Sequence, residues 1–144
     1  MIPKFRNSLT FETDEHRAHF TPNELLIQIA SHNDKEKLTI YLSENKEINL
    51  LEIIDTRHYT LCHISCINNN QEMLEILVNY IHENFSKLNH KIPEWVNRKN
   101  LEGYTPLHMA AFKGNIKMIK YLEKIGADRL ARNKHGDFLK KLIN

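Results

Sequence analysis

The sequence predicts an all-α chain of stacked helix–turn–helix pairs, about three of them with a partial fourth at the C-terminal end. Three observations lead there. Gly103 and Gly136 stand 33 residues apart, a period typical of repeat proteins. Helix starts recur: Thr105-Pro106 and Thr21-Pro22 each place a capping hydroxyl before a proline at the first helical position, where its missing N–H costs nothing. After each start comes a short apolar segment, a turn, and then a second apolar stripe at helical spacing.

The clearest unit begins at Asn100. Leu107, Ala110 and Ala111 give a short helix with a small-residue face, and Gly114 ends it in a left-handed position. Ile116, Met118, Ile119 and Leu122 form the stripe of a second helix, closed by Gly126. Upstream, Asp55 to His63 parallels Asn100 to His108, with His58 in place of Gly103 and Leu61 in place of Pro106. Ser65 and Cys66 replace the two alanines, and Asn69 replaces Gly114; Asn is the non-glycine residue best suited to that turn. Met73, Leu74, Ile76 and Leu77 repeat the stripe. His63 and His108 are 45 residues apart, so this copy carries an insertion, expected at 78–96, that lengthens the second helix and its exit loop.

A fainter copy opens with the capping box Thr21-Pro22-Asn23-Glu24. Leu25 to Ser31 is its first helix, Leu38, Ile40, Tyr41 and Leu42 lie on its second, and it reads as an N-terminal cap. Past Asp128, Asn133 to Asp137 opens a fourth turn, after which Phe138 to Ile143 puts lysines where the pattern wants Leu-His. That stretch is at most one helix of a repeat, either a polar cap or the start of a longer array; the want of a second helix favours the latter. The expected organisation is an extension over 1–20 and one domain over 21–144, with repeats at 21–54, 55–99, 100–132 and a partial one at 133–144.

Thr105-Pro106-Leu107-His108, Ala110-Ala111, Gly114 and Gly126-Ala127-Asp128 are the residues by which this chain resembles the ankyrin-repeat family. The likeness is close over 97–136, looser over 55–77 and loosest over 21–50. It implies an ankyrin solenoid, each pair sharing its core only with its neighbours. It also implies that His63 and His108 hydrogen-bond the Thr hydroxyl and nearby backbone, tying turn to helix. In the family, variable hairpin positions and the exposed end of the first helix line a concave surface. Carried over, these are Leu101, Glu102, Tyr104, Phe112 and Lys113, and one repeat earlier Thr56, Arg57, Tyr59, Ile67 and Asn68. Tyr59, Ile67, Tyr104 and Phe112 are apolar where the family tolerates anything, which suggests an interaction patch flanked by Arg57 and Lys113. Scattered surface hydrophobes are also ordinary.

Composition narrows the remaining choices. At 144 residues, 41% apolar and 26% charged, the chain fits one globular domain, and it holds no apolar run near the ~18 residues of a membrane helix. The first twenty residues carry Glu12, Asp14 and Glu15 and no apolar core, unlike a signal peptide. Two cysteines make no disulfide framework, so a cytoplasmic location is expected. Charge is uneven: 97–144 hold 11 Lys/Arg against 4 Asp/Glu, and 1–96 hold 9 against 14.

Little of the sequence points to chemistry. Cys62, His63 and Cys66 share one helical turn, but a tetrahedral metal site needs about four ligands, and two of the aligned positions are core residues. The histidines have no nucleophile and orienting partner beside them. Glu12, Asp14, Glu15, His16 and His19 cluster in a terminus, where solvated side chains are the rule. Phosphate-binding, zinc-protease and nucleophile-elbow motifs do not occur. Trp95 in Ile92-Pro93-Glu94-Trp95-Val96 is either a binding hot spot on the insertion or a residue folded back, with Ile92 and Val96, over the lengthened helix.

The expectation is therefore a non-catalytic, monomeric module that binds a protein or peptide on its concave face, with no cofactor, metal or small-molecule substrate. The alternative is a regulatory or substrate-recruiting ankyrin domain of a larger enzyme, channel or membrane protein such as a protein acyltransferase. Nucleic-acid binding through Arg129, Arg132, Lys134, Lys140 and Lys141 is the least favoured reading, because a nucleic-acid footprint is a clustered basic face with interleaved aromatics.

Overall fold

Side-chain caps mark the start of every repeat helix. The computed structural model describes residues 20–136, and the regular structure among them is helical. The carboxylate–histidine cluster at 12–19 and the partial helix at 138–143 lie outside the described residues.

Helix α1 (Pro22–Ser31) opens with the expected capping box: Thr21 Oγ1 accepts the Glu24 N–H at 3.1 Å, and Glu24 Oε1 accepts the Thr21 N–H at 2.9 Å. Helix α2 (Lys35–Glu44) is capped by Asp34, α3 (Leu61–Ile67) by Thr60 and α4 (Gln71–Asn84) by Asn70. After the short α5 (Ile92–Val96) come α6 (Pro106–Phe112), capped by Thr105, and α7 (Ile116–Lys124), capped by Asn115. The turn inside each pair has one form: a residue at positive φ and then an Asx cap. The pairs are Asn33 (φ 60°) with Asp34, Asn69 (57°) with Asn70, and Gly114 (67°) with Asn115.

First helices α1, α3 and α6 pack in succession, and second helix α2 packs on α4. The core lies between these layers, with Leu26, Leu38 and Tyr41 in the first pair, Leu61, Met73, Leu74 and Leu77 in the second, and Leu107, Met118 and Leu122 in the third. Two members of the expected stripes are outside it. Ile116 is 52% exposed and Ile40 is 40% exposed. Each is two residues from a buried position, Met118 or Leu38, and two residues are roughly 200° around a helix.

The insertion departs most from a loop. Helix α4 runs on for 14 residues, a 3₁₀ segment covers Ser86–Lys91, and α5 follows directly. Ile92, Val96 and Trp95 are buried, Trp95 at 2% exposure. Trp95 is thus a core residue and not a contact on the surface; the insertion folds back because the exit from α7 receives it. A Cβ placed on Gly126 (φ +120°) would lie 2.8 Å from the Pro93 Cβ. Asn97 Nδ2 donates to the Pro93 and Gly126 carbonyls at 2.7 and 2.9 Å, and its Oδ1 accepts the Asp128 N–H at 2.8 Å.

Gly126→Ala should therefore lower the thermal midpoint by several degrees more than Gly114→Ala, which strains φ but meets no atom within 4 Å. Trp95→Ala should cost about 3–5 kcal/mol in denaturant unfolding, as a large buried side chain does.

Candidate partner-binding face

The face expected to bind is built on Asx turns. Asp55 Oδ1 accepts the N–H groups of Arg57 (2.9 Å) and Tyr59 (2.8 Å). Asn100 Oδ1 does the same for Glu102 (2.9 Å) and Tyr104 (3.0 Å), and Asn133 Oδ1 accepts from His135 (2.9 Å). Each turn closes through a left-handed residue, His58 (φ 66°), Gly103 (87°) or Gly136 (82°), whose N–H donates back to the Asx carbonyl at 2.9–3.0 Å. Successive hairpins touch. The Leu101 N–H donates to the Arg57 carbonyl at 3.1 Å, and a Cβ on Gly103 would come within 2.6 Å of the Lys134 nitrogen.

A buried histidine fastens the Asp55 hairpin, and another the Asn100 hairpin, to the helix that follows. The N–H (3.1 Å) and hydroxyl (2.9 Å) of Thr60 meet His63 Nδ1, while the Thr60 oxygen accepts the His63 N–H at 3.2 Å. On the other side His63 Nε2 donates to the Tyr104 carbonyl of the next repeat at 2.8 Å. His108 repeats the arrangement with Thr105 and reaches the Ala131 carbonyl at 3.1 Å. Two donors at Nδ1 and an acceptor at Nε2 demand the neutral Nε2–H form. Burial pushes the His63 pKa down to about 4, although the Tyr104 carbonyl opposes the shift, and burial lowers His108 likewise.

On this frame the expected contact residues gather in two groups. Arg57 and Glu102 form an ion pair at 3.0 Å between neighbouring hairpins, and the Arg57 guanidinium sits 5.4 Å over the Tyr59 ring. Thr56 is exposed beside them, and Leu101 is 62% exposed. Tyr104 stands edge-on to Phe112 with ring centroids 5.2 Å apart, and Phe112 is 49% exposed next to the exposed Lys113. Tyr59, Ile67 and Tyr104 are half-buried against the core and present only part of their surface. Asn68 has a structural task as well: its Nδ2 donates to the Ala30 carbonyl at the end of α1 at 2.8 Å. Sequence reasoning named Lys134 only in the basic stretch and passed over His135; both are exposed at the fourth turn. The 33-residue offset places them opposite Leu101 and Glu102, so the signal was available.

The family profile of ankyrin repeats matches residues 26–133 as three copies. The chain belongs to the ankyrin-repeat family. It is 31% identical over 99 residues to a putative ankyrin repeat protein of Rickettsia bellii (strain RML369-C), covering 69% of this chain and 13% of that protein. It is 30% identical over 94 residues to protein phosphatase 1 regulatory subunit 27 of Mus musculus, covering 63% of this chain and 53% of that one. The chain thus spans about half or less of the length of these curated relatives. A chain of the crystal structure of the yeast ribosomal protein Rps3 in complex with its chaperone Yar1 superposes with a TM-score of 0.74 at 22% identity. That match covers 84% of this chain and 81% of the other, and at this identity it speaks for the fold.

Elsewhere the ankyrin scaffold holds chemistry in a structural role. Cys62 and Cys66 are fully buried, and burial beside the Cys66 thiol pushes Cys62 well above the usual thiol range. A groove of about 490 Å³ runs between α2 and α4, flanked by Ile40 and Ile76 and bridged by the Lys35–Glu72 ion pair at 2.8 Å. Among the described residues, no helix is long and apolar enough to cross a membrane.

The depressed histidine pKa has a sign that can be checked. With His63 near 4 when folded and about 6.5 when unfolded, the unfolded chain binds the extra proton between those values. Its contribution, on the order of 3 kcal/mol, is present above pH 6.5 and is lost as pH falls towards 4. Urea unfolding at pH 7 and pH 4.5 should show this loss in the parent and a smaller loss in His63→Gln; equal losses would contradict the linkage.

Proposed function

We propose that this ankyrin domain is a non-catalytic module that binds a protein or peptide across its hairpin tips and first-helix ends, the concave face of the family. Ankyrin repeats are a protein–protein interaction fold, and the observation that favours this face is the exposure of Leu101 and of Phe112, which packs edge-on to Tyr104. Two of these large apolar groups are about half exposed or more, on a row of hairpins already held by backbone hydrogen bonds. Such a row loses little conformational freedom on binding, so less of the contact energy is offset. The domain acts as a monomer in this reading.

A regulatory or recruiting role within a larger protein is the second reading. Its support is that two relatives, from Mus musculus and Homo sapiens, carry the name of a protein phosphatase 1 regulatory subunit.

The test begins with partners recovered by pulldown on the intact chain and identified by mass spectrometry. Leu101→Ala combined with Phe112→Ala should weaken a recovered partner about tenfold or more by calorimetry, with the circular dichroism spectrum unchanged. Trp95→Phe should leave the affinity as it was. A partner that binds the double variant at parental affinity sits on another face.

A further inference from the structure

Resting on that assignment of the binding face, we propose that its occupant is an acidic protein segment carrying at least one large apolar side chain. The hairpin row of that face presents Arg57, Glu102 and Lys134, and its helix ends present Lys113. Among the described residues, the carboxylates on these hairpins, Glu102 and Asp55, are both engaged. Glu102 is held by Arg57 at 3.0 Å, and Asp55 is turned inward to accept two backbone N–H groups. Lys113 and Lys134 are exposed and have no ion-pair partner among the described residues. Arg57 keeps 62% of its side chain exposed despite its pair.

The surroundings point the same way. Residues 97–136 hold nine Lys/Arg against three Asp/Glu, whereas residues 20–96 hold six against eleven. Positive charge is therefore concentrated on the repeat that carries Leu101, Tyr104 and Phe112, and the two earlier repeats are acidic. An acidic segment is drawn to the end of the stack that carries Leu101 and Phe112, which favours its position along the row as well as its approach rate.

The apolar anchor is the second half of the requirement. A flexible polyanion without one pairs Lys113 and Lys134 but leaves Leu101 and Phe112 uncovered. A neutral or basic apolar segment covers the aromatic pair and leaves the lysines unanswered. Only a segment with both features satisfies the face.

The experiment selects from a random library of about twelve-residue displayed peptides on the immobilised full chain. Enriched peptides are expected to carry net negative charge together with Leu, Phe, Trp or Met. Their affinity should fall about tenfold in Lys113→Glu/Lys134→Glu, and should weaken again between low and high salt. Phe112→Ala should weaken them at every salt concentration. All these side chains are exposed, and circular dichroism checks that the variants remain folded. Enriched peptides that are neutral or basic, yet lost with Phe112→Ala, overturn the acidic-segment proposal and leave the face standing. Peptides indifferent to both Phe112→Ala and Leu101→Ala overturn the face itself. Polyglutamate or oligothymidylate binding as tightly as the selected peptides overturns the proposal, and so does a library that yields no enriched peptide.

Discussion

The stack depends on an imidazole that has to stay neutral. His63 reaches Thr60 with one ring nitrogen and the Tyr104 carbonyl with the other, so one side chain joins a helix start, its own hairpin and the following repeat. The three-residue spacing from Thr to His makes this possible, because the same hydroxyl that caps the helix faces the ring. Thr60 and His63 are buried, and a buried polar group left without its partner costs about 1–3 kcal/mol. The junctions made by His63 and His108 are for this reason intolerant of change at the Thr or the His. Position and orientation of the next hairpin follow from them.

The first junction is made in the opposite direction. Helix α1 has a capping box of exposed side chains, and Glu24 is occupied with the Thr21 N–H. No ring at that position reaches forward, so Asn68 reaches back from α3 to the Ala30 carbonyl. The same scaffold is thus held by a buried imidazole between the second and third pairs and by a half-buried amide between the first and second. The two repeats differ accordingly: Phe112 and Lys113 are exposed, while Asn68 at the equivalent place is partly engaged by the stack.

What could be read from the sequence was whatever repeats locally. Thr21, Thr60 and Thr105 announce helix starts, and His58 and Asn69 stand at left-handed turns as their alignment with Gly103 and Gly114 requires. Tyr104 and Phe112 were legible as a pair because both fall at variable positions of one repeat. The insertion was placed at 78–96 with its fold-back as one of two readings, but what it packs against was not legible. Five residues from Ile92 to Val96 carry no period, and no pattern in either segment encodes the burial of Trp95 or the close approach of Pro93 to Gly126, some thirty residues away. Long-range amide bonds such as Asn68 to Ala30 are silent for the same reason: hydrophobic spacing does not register them.

Asparagine in the left-handed turns has a use that glycine could not have. Asn70 caps α4 with its oxygen, and its amide nitrogen donates to Asn33 Oδ1 at 2.7 Å. Asn115 caps α7 in the same way and donates to Asn69 Oδ1 at 2.5 Å. Glycine at 33 or 69 would relieve the positive φ, which for residues other than glycine costs roughly 1–2 kcal/mol and less for Asn. It would also remove the acceptor for the next repeat's cap. These bonds are exposed, so each contributes about 1 kcal/mol at most, and the two effects nearly cancel in stability. What the asparagines set is spacing, since each ties the turn of one pair to the turn of the next. Those turns adjoin Ile67, Asn68, Phe112 and Lys113, and so the separation of side chains along the proposed face is held by the residues that replace its glycines.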